Sequence, residues 1–349
     1  MKNIKKTLLF VVGCLIGGVL GAVMAMRTDT LPELLMAFVL LFAAVYAQLI
    51  LHEAGHLIAG LLTGYRFKSF RIGSLMLMKT RDRWRLVRYK LAGTGGQCLM
   101  APPPMENGNY PNTLYHFGGA IMNLLWAVLA GLMLYLTGYS AWWLGTLAAG
   151  LIMAATNGIP MKTGMVDNDG RNAVRSLHEE DVRTGFYRQL QVNAALTDGR
   201  RLRDMPEEWF SCAEGQEHER GYLRFQYLLD RGDYEGAREF GERMKDCGMP
   251  GVHSALLEND LRCLDLLNGR VPSDPSKALR QLTKAMPSYP AVLRSNYLFA
   301  LLQENDAEKA EQIKRKFEKM LRAYPYPSDT KADEALMALG QQKYADSKR

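Results

Sequence analysis

Three stretches of the chain are apolar without interruption. Thr7 to Met26 is 20 residues without a charged side chain, Leu34 to Leu51 is 18, and Phe117 to Ile159 is 43 without Asp, Glu, Lys, Arg or His. A helix needs about 20 such residues to cross the hydrocarbon core of a bilayer. The pattern therefore predicts four spans, at about 7–26, 31–64, 113–137 and 141–160, the last two joined by a turn at Thr137-Gly138-Tyr139-Ser140. The first run follows Lys2, Lys5 and Lys6 and reads as a span or as a secretory signal with Val23-x-Ala25 as its cleavage site; its length favours the span.

After Ile159 the pattern changes. Residues 1–160 carry 13 Lys and Arg against 5 Asp and Glu, whereas residues 161–349 carry 30 against 31 and contain no run long enough to cross a membrane. A wholly soluble single domain is excluded. The predicted fold is mainly α: a polytopic membrane helix bundle with a small β-hairpin or sheet insertion, followed by a cytosolic α-helical repeat domain. The boundaries are 1–175 for the membrane domain, with the β-rich insertion at 65–104, and 176–349 for the helical domain.

Between the second and third spans, Arg66 to Lys90 holds nine Lys and Arg against Asp82 alone, which places this loop in the cytosol. The N-terminus and C-terminal domain then lie on the same side, in a multi-pass protein of the cell membrane. The same cations are suited to anionic lipid headgroups. The insertion is rich in β-formers, among them Phe67, Phe70, Ile72, Leu75, Leu77, Trp84, Leu86, Val87 and Tyr89, with Arg81-Asp82 at a hairpin tip and Gly93 to Gly96 closing the second strand. An open strand edge there can receive an extended peptide by β-addition; the alternative is that the strands only cap the cytosolic opening.

In the second half, Gly232-Asp233-Tyr234-Glu235 and Glu304-Asn305-Asp306-Ala307 each read as a turn opening a helix, and Tyr289-Pro290 and Tyr324-Pro325 recur after Lys-bearing amphipathic segments. The spacing resembles helical hairpins of the tetratricopeptide class, in a solenoid from about Glu180 to Gln342 that reads as a module binding a protein partner, the alternative being a folded regulatory tail without a groove; Lys343 to Arg349 is expected to fray. The five cysteines form no C-x-x-C pair, and no phosphate loop, dinucleotide fingerprint or nucleic-acid module is present.

The chemistry lies in the second span, at His52-Glu53-Ala54-Gly55-His56. Residues four apart share a helix face, so two imidazoles can meet one zinc ion while Glu53 takes a proton from water. Ionisable groups at membrane depth are costly, which makes them functional candidates. A hydrolytic zinc needs a third protein ligand. Asp167 and Asp169, in the polar stretch after Pro160, both qualify by position. His116, His178, His218 and His253 have no second His or Cys at helical spacing.

The combination resembles the site-2 protease family of intramembrane zinc metalloproteases, whose H-E-x-x-H helix meets a later N-x-x-P…D-G segment. His52, Glu53 and His56 match the first motif; Asn157, Pro160, Asp169 and Gly170 match the second. The resemblance implies one Zn2+ per chain held by His52, His56 and Asp169, with Glu53 as the catalytic base. The Pro-to-Asp spacing is longer than in the compact family form, which keeps Asp167 in contention. Gly118-Gly119-Ala120-x-x-Asn123 resembles a further family signature, and Asn123 and Asn157 become candidates for steadying substrate. The substrate implied is a membrane protein or peptide precursor cut in or near a transmembrane segment. The rival reading is a non-catalytic membrane adaptor whose repeats bind partners.

Overall fold

The computed structural model describes residues 17–18, 20–89, 94–163, 166–211, 217–245, 249 and 251–349. Most of the first predicted span lies outside them; residues 20–26 are helical. Two compact units result: Met1–Gly64 with Pro111–Lys162 and Asp167–Val174, and Tyr65–Tyr110 with Thr163–Val166 and Arg175–Arg349.

The first unit is built on three packed helices, α1 (Leu31–Leu62), α2 (Thr113–Thr137) and α3 (Ala141–Gly158). Helix α1 begins where Thr30 accepts a hydrogen bond from the Glu33 amide at 3.4 Å, and stops at Gly64, whose φ of 85° takes the chain out of the helix. The α2–α3 turn falls at the expected place, with Gly138 at φ 78° and the Ser140 side chain capping α3. Pro160 ends α3 as expected, since the residue before it, Ile159, is held extended.

Burial in this unit is inverted relative to a water-soluble bundle. On α1 the buried side chains include Ala37, Ala44, Gln48, His52, Glu53 and His56, while Leu35, Phe38, Phe42, Val45, Ile50 and Leu62 are exposed. Helix α2 likewise buries Gly118, Gly119, Asn123 and Ala127 and exposes Leu124, Leu125, Val128 and Leu132. Large apolar groups outside and small or polar groups inside is the arrangement lipid favours. Leu31–Leu62 and Thr113–Thr137 are long and apolar enough to cross a membrane.

Small residues let the backbones touch. A Cβ on Gly55 would collide with the Gly118 carbonyl, and one on Gly118 would meet the Gly55 carbonyl at 2.5 Å, so neither helix tolerates a side chain at the crossing. After α3 come two short paired strands, β5 (Lys162–Thr163) and β6 (Val166–Asp167), and helix α4 (Asp169–His178).

The second unit contains a four-stranded antiparallel sheet in the order β3-β2-β1-β4, from β1 (Arg66–Ile72), β2 (Leu75–Lys79), β3 (Trp84–Arg88) and β4 (Gly96–Ala101). Thr80–Arg83 is the expected hairpin tip. The remaining expectation is corrected: Gly73, at φ 57°, makes an additional turn between β1 and β2, and Gly96 opens a fourth strand instead of closing a second. Strands β3 and β4 are the sheet edges.

Two of the loop's cations serve this unit. Arg71 is fully buried and donates to the carbonyls of Gly73 at 2.7 Å and Gly96 at 3.1 Å, and Lys68 pairs with Asp198 at 2.6 Å. The sheet thus belongs with the helices of the C-terminal half, through β4 against α5 (Glu180–Thr197).

Those helices continue as α6 (Glu217–Arg231), α7 (Tyr234–Met244), α8 (Gly251–Leu267), α9 (Lys277–Ala285), α10 (Pro290–Leu298), α11 (Ala307–Ala323) and α12 (Lys331–Asp346). The two predicted turns open helices as expected. Asp233 caps α7 through the Gly236 amide at 3.0 Å, and Asp306 caps α11 through the Lys309 amide at 2.8 Å. Helix α12 runs through Asp346, past Lys343, from which fraying was expected. A shared core of Phe225, Leu257, Leu261, Leu264, Leu298 and Leu336 joins them, and Arg294 is buried between Asp260 and Asp333.

Candidate metal centre

His52, Glu53 and His56 all lie on the buried face of α1, because four residues advance the helix by little more than a full turn. Each imidazole is anchored through Nδ1. His56 Nδ1 stands 2.7 Å from the Tyr115 carbonyl oxygen, which only accepts, so Nδ1 carries the proton. His52 Nδ1 stands 2.8 Å from the Asn123 side-chain oxygen.

The orientation of Asn123 is itself set by its neighbours. Its amide nitrogen donates to the Gln48 carbonyl at 2.8 Å and to the Gln48 Oε1 at 2.7 Å, and Gln48 Nε2 donates to the Thr146 carbonyl at 3.0 Å. Backbone carbonyls accept only, so the relay Thr146–Gln48–Asn123 has one consistent direction, and it ends with a proton on His52 Nδ1. Both Nε2 atoms therefore present lone pairs.

Those lone pairs face each other and a carboxylate. His52 Nε2 and His56 Nε2 are 3.2 Å apart, and Asp169 Oδ2 lies 3.1 Å from the first and 3.4 Å from the second. Three acceptors this close repel one another unless a cation neutralises them. Ligand atoms about 2.0 Å from a tetrahedral zinc are spaced by roughly 3.3 Å, and the three observed separations match that edge. His52, His56 and Asp169 are the group among the described residues able to hold a metal. The donor set, two imidazoles and a carboxylate, fits catalytic zinc.

Asp169 is brought into place by Asn168, which sequence reasoning missed. Asn168 Nδ2 donates to the carbonyls of Thr156 and Ile159, both at 2.7 Å, while its Oδ1 accepts from the Met161 and Arg171 amides, both at 3.0 Å. The bond from the Arg171 amide caps α4, and the bonds to Thr156, Ile159 and Met161 tie that cap to the end of α3 and the turn after it, so Asp169 begins a helix whose start is fixed in space. An Asn immediately before a helix-opening acid was the available cue. Gly170 closes the fit, since a Cβ there would collide with the Gly158 carbonyl.

The other candidates are placed elsewhere. Asp167 pairs with Arg171 at 3.0 Å and is outside the donor group. Asn123 touches the centre through His52 and has both arms of its amide engaged, Oδ1 with His52 Nδ1 and Nδ2 with Gln48. Asn157 Nδ2 donates to the Met153 carbonyl of its own helix at 3.0 Å. His116 is buried beside Tyr115 without joining the donor group, and His253 stacks on Tyr222 in the second unit.

Histidines four apart on an apolar helix, an acidic residue between them and a carboxylate from a distant segment define a metallopeptidase centre set among membrane-type helices. The family model described as peptidase family M50 matches residues 40–333. The chain belongs to that family, the zinc-dependent, membrane-embedded metallopeptidases of the site-2 protease type. Comparison with curated proteins and with solved structures finds no match.

Proposed function

We propose that this chain is an intramembrane zinc endopeptidase that hydrolyses a peptide bond in or near a transmembrane segment of a membrane protein or peptide precursor. The observation that carries this reading is the convergence of two Nε2 lone pairs and the Asp169 carboxylate, all 3.1–3.4 Å apart, beside the buried Glu53. His52, His56 and Asp169 hold the metal in this reading. Zinc, when bound, supplies a Lewis acid that polarises the scissile carbonyl and acidifies water.

The chain's own groups do the rest. Glu53 accepts a proton from the attacking water as its oxygen adds to the carbonyl carbon, and returns that proton to the amine nitrogen as the C–N bond breaks. Asn123 and the Tyr115 carbonyl keep both imidazoles in one tautomer throughout. The membrane domain is read as four spans within residues 1–175, with the N-terminus and the helical domain 176–349 in the cytosol, where that domain binds a protein partner.

The test is Glu53→Gln in purified protein. It retains about one zinc per chain and loses cleavage of a membrane-anchored reporter, since the amide cannot take the proton. Cleavage retained in the metal-replete variant refutes the assignment, and a native protein without zinc supports the adaptor reading instead.

A further inference from the structure

Within the second unit, an open groove of about 850 Å³ runs between the end of edge strand β3 and helix α11. Its floor is apolar and aromatic, formed by Met286, Leu293 and Met320 with Tyr89, Tyr289 and Tyr324. Charge sits only on its walls: Arg88 on the β3 side, and Lys316 and Lys319, one helical turn apart, on the α11 side. No acidic residue lines it, all three cations are exposed, and none of the three forms an ion pair among the described residues. Elsewhere on α11, Lys309 pairs with Glu304 and Arg315 with Glu311. The groove is thus bordered by exposed positive charge with no acidic lining to offset it.

We propose that this groove binds an acidic amphipathic peptide segment of a partner protein, its apolar side chains on the tyrosine-lined floor and its carboxylates against Arg88 on one wall and Lys316 and Lys319 on the other. The groove's size falls in the range of ligand-binding clefts, about 300–1,000 Å³. Two cationic walls flanking an apolar floor complement a segment that is acidic on both margins and apolar between them. An anionic bilayer presents headgroups in a plane, which can meet the rim but leaves the floor uncovered, so the peptide is the better occupant. The proposal uses no residue of the metal centre and stands independently of the protease reading.

The experiment uses the full chain in maltoside micelles and two fluorescent 12-residue peptides, one with Glu interleaved among Leu and Phe and the other with Lys in place of Glu. By anisotropy the Glu peptide binds and the Lys peptide does not. In Lys316→Glu/Lys319→Glu, affinity for the Glu peptide falls about tenfold or more and the Lys peptide gains affinity. Arg88→Glu, on the opposite wall, shifts the preference in the same direction. The proposal is overturned if both variants, with unchanged circular dichroism, bind the Glu peptide as the parent does. It is equally overturned if phosphatidylglycerol vesicles bind the parent chain and displace the peptide while phosphatidylcholine vesicles do not.

Discussion

At the scale of single residues, the proposed metal centre depends on groups outside its three donors. Removing the acceptor for His52 in Asn123→Ala frees its tautomer and ring orientation, and zinc affinity is expected to drop about 10- to 100-fold in competition with a chromophoric chelator. Gln48→Leu acts one step further away, by releasing the Asn123 amide, and a smaller drop follows; an unchanged affinity in both variants removes the relay from the account. Gly119→Ala works by volume, since a methyl group there lies 2.5–2.7 Å from His52 ring atoms and displaces the ligand. The histidine pair and Glu53 were legible in the sequence because their geometry is local, one helical turn written in five letters. Asn123 was visible but assigned to substrate, and Gln48 and Asn168 passed unnoticed. Their roles depend on which atom faces which across 71 to 75 residues of chain for Asn123, and on two converging backbone segments for Asn168.

Among the elements, the α1–α2 crossing at Gly55 and Gly118 sets the distance on which the site relies, because α2 also supplies Asn123 and the Tyr115 carbonyl. Gly118→Val forces the helices apart at a backbone contact. It is expected to cost about 1–3 kcal/mol or more, seen as a lower midpoint of thermal unfolding in detergent together with weaker zinc binding. If zinc affinity survives while the midpoint falls, the crossing is structural only. Runs of apolar residues located α1, α2 and α3 well, since long apolar helices are specified by composition over 18 or more positions. The insertion was expected as a small β-hairpin or sheet and is a sheet, but its strands were read less well, two being placed where four exist. Pairing partners such as Phe70 with Cys98 lie far apart in sequence, and the burial alternation of β2, Met76 and Met78 inside with Leu75 and Leu77 exposed, is not written as an alternation of apolar and polar residues.

For the molecule as a whole, two carboxylates of the helical half set an unusual pH dependence. Burial pushes Asp329 up to about 6 and Asp333 up to about 7, the latter despite the opposing pull of Arg294. The folded state therefore holds these protons more tightly than the unfolded chain, where Asp titrates near about 3.9. Their contribution is fully present below that pH and is lost as pH rises through about 6 to 7. Urea unfolding of the intact chain should show Asp329→Asn losing less stability than the parent between pH 4.5 and 7; parallel curves refute the assignment. The sequence by itself determined the membrane-type helices, the helical second half and the His52-Glu53-x-x-His56 pair, because hydropathy and helical periodicity act over a few neighbouring residues. Only the tertiary structure decided that Asp169 and not Asp167 joins the histidines, that Asn123 faces His52, and that the sheet of the basic insertion packs with the C-terminal helices. Each of those outcomes is a choice among partners remote along the chain, and it is made by packing, by the direction of hydrogen bonds and by which charges find a counter-charge.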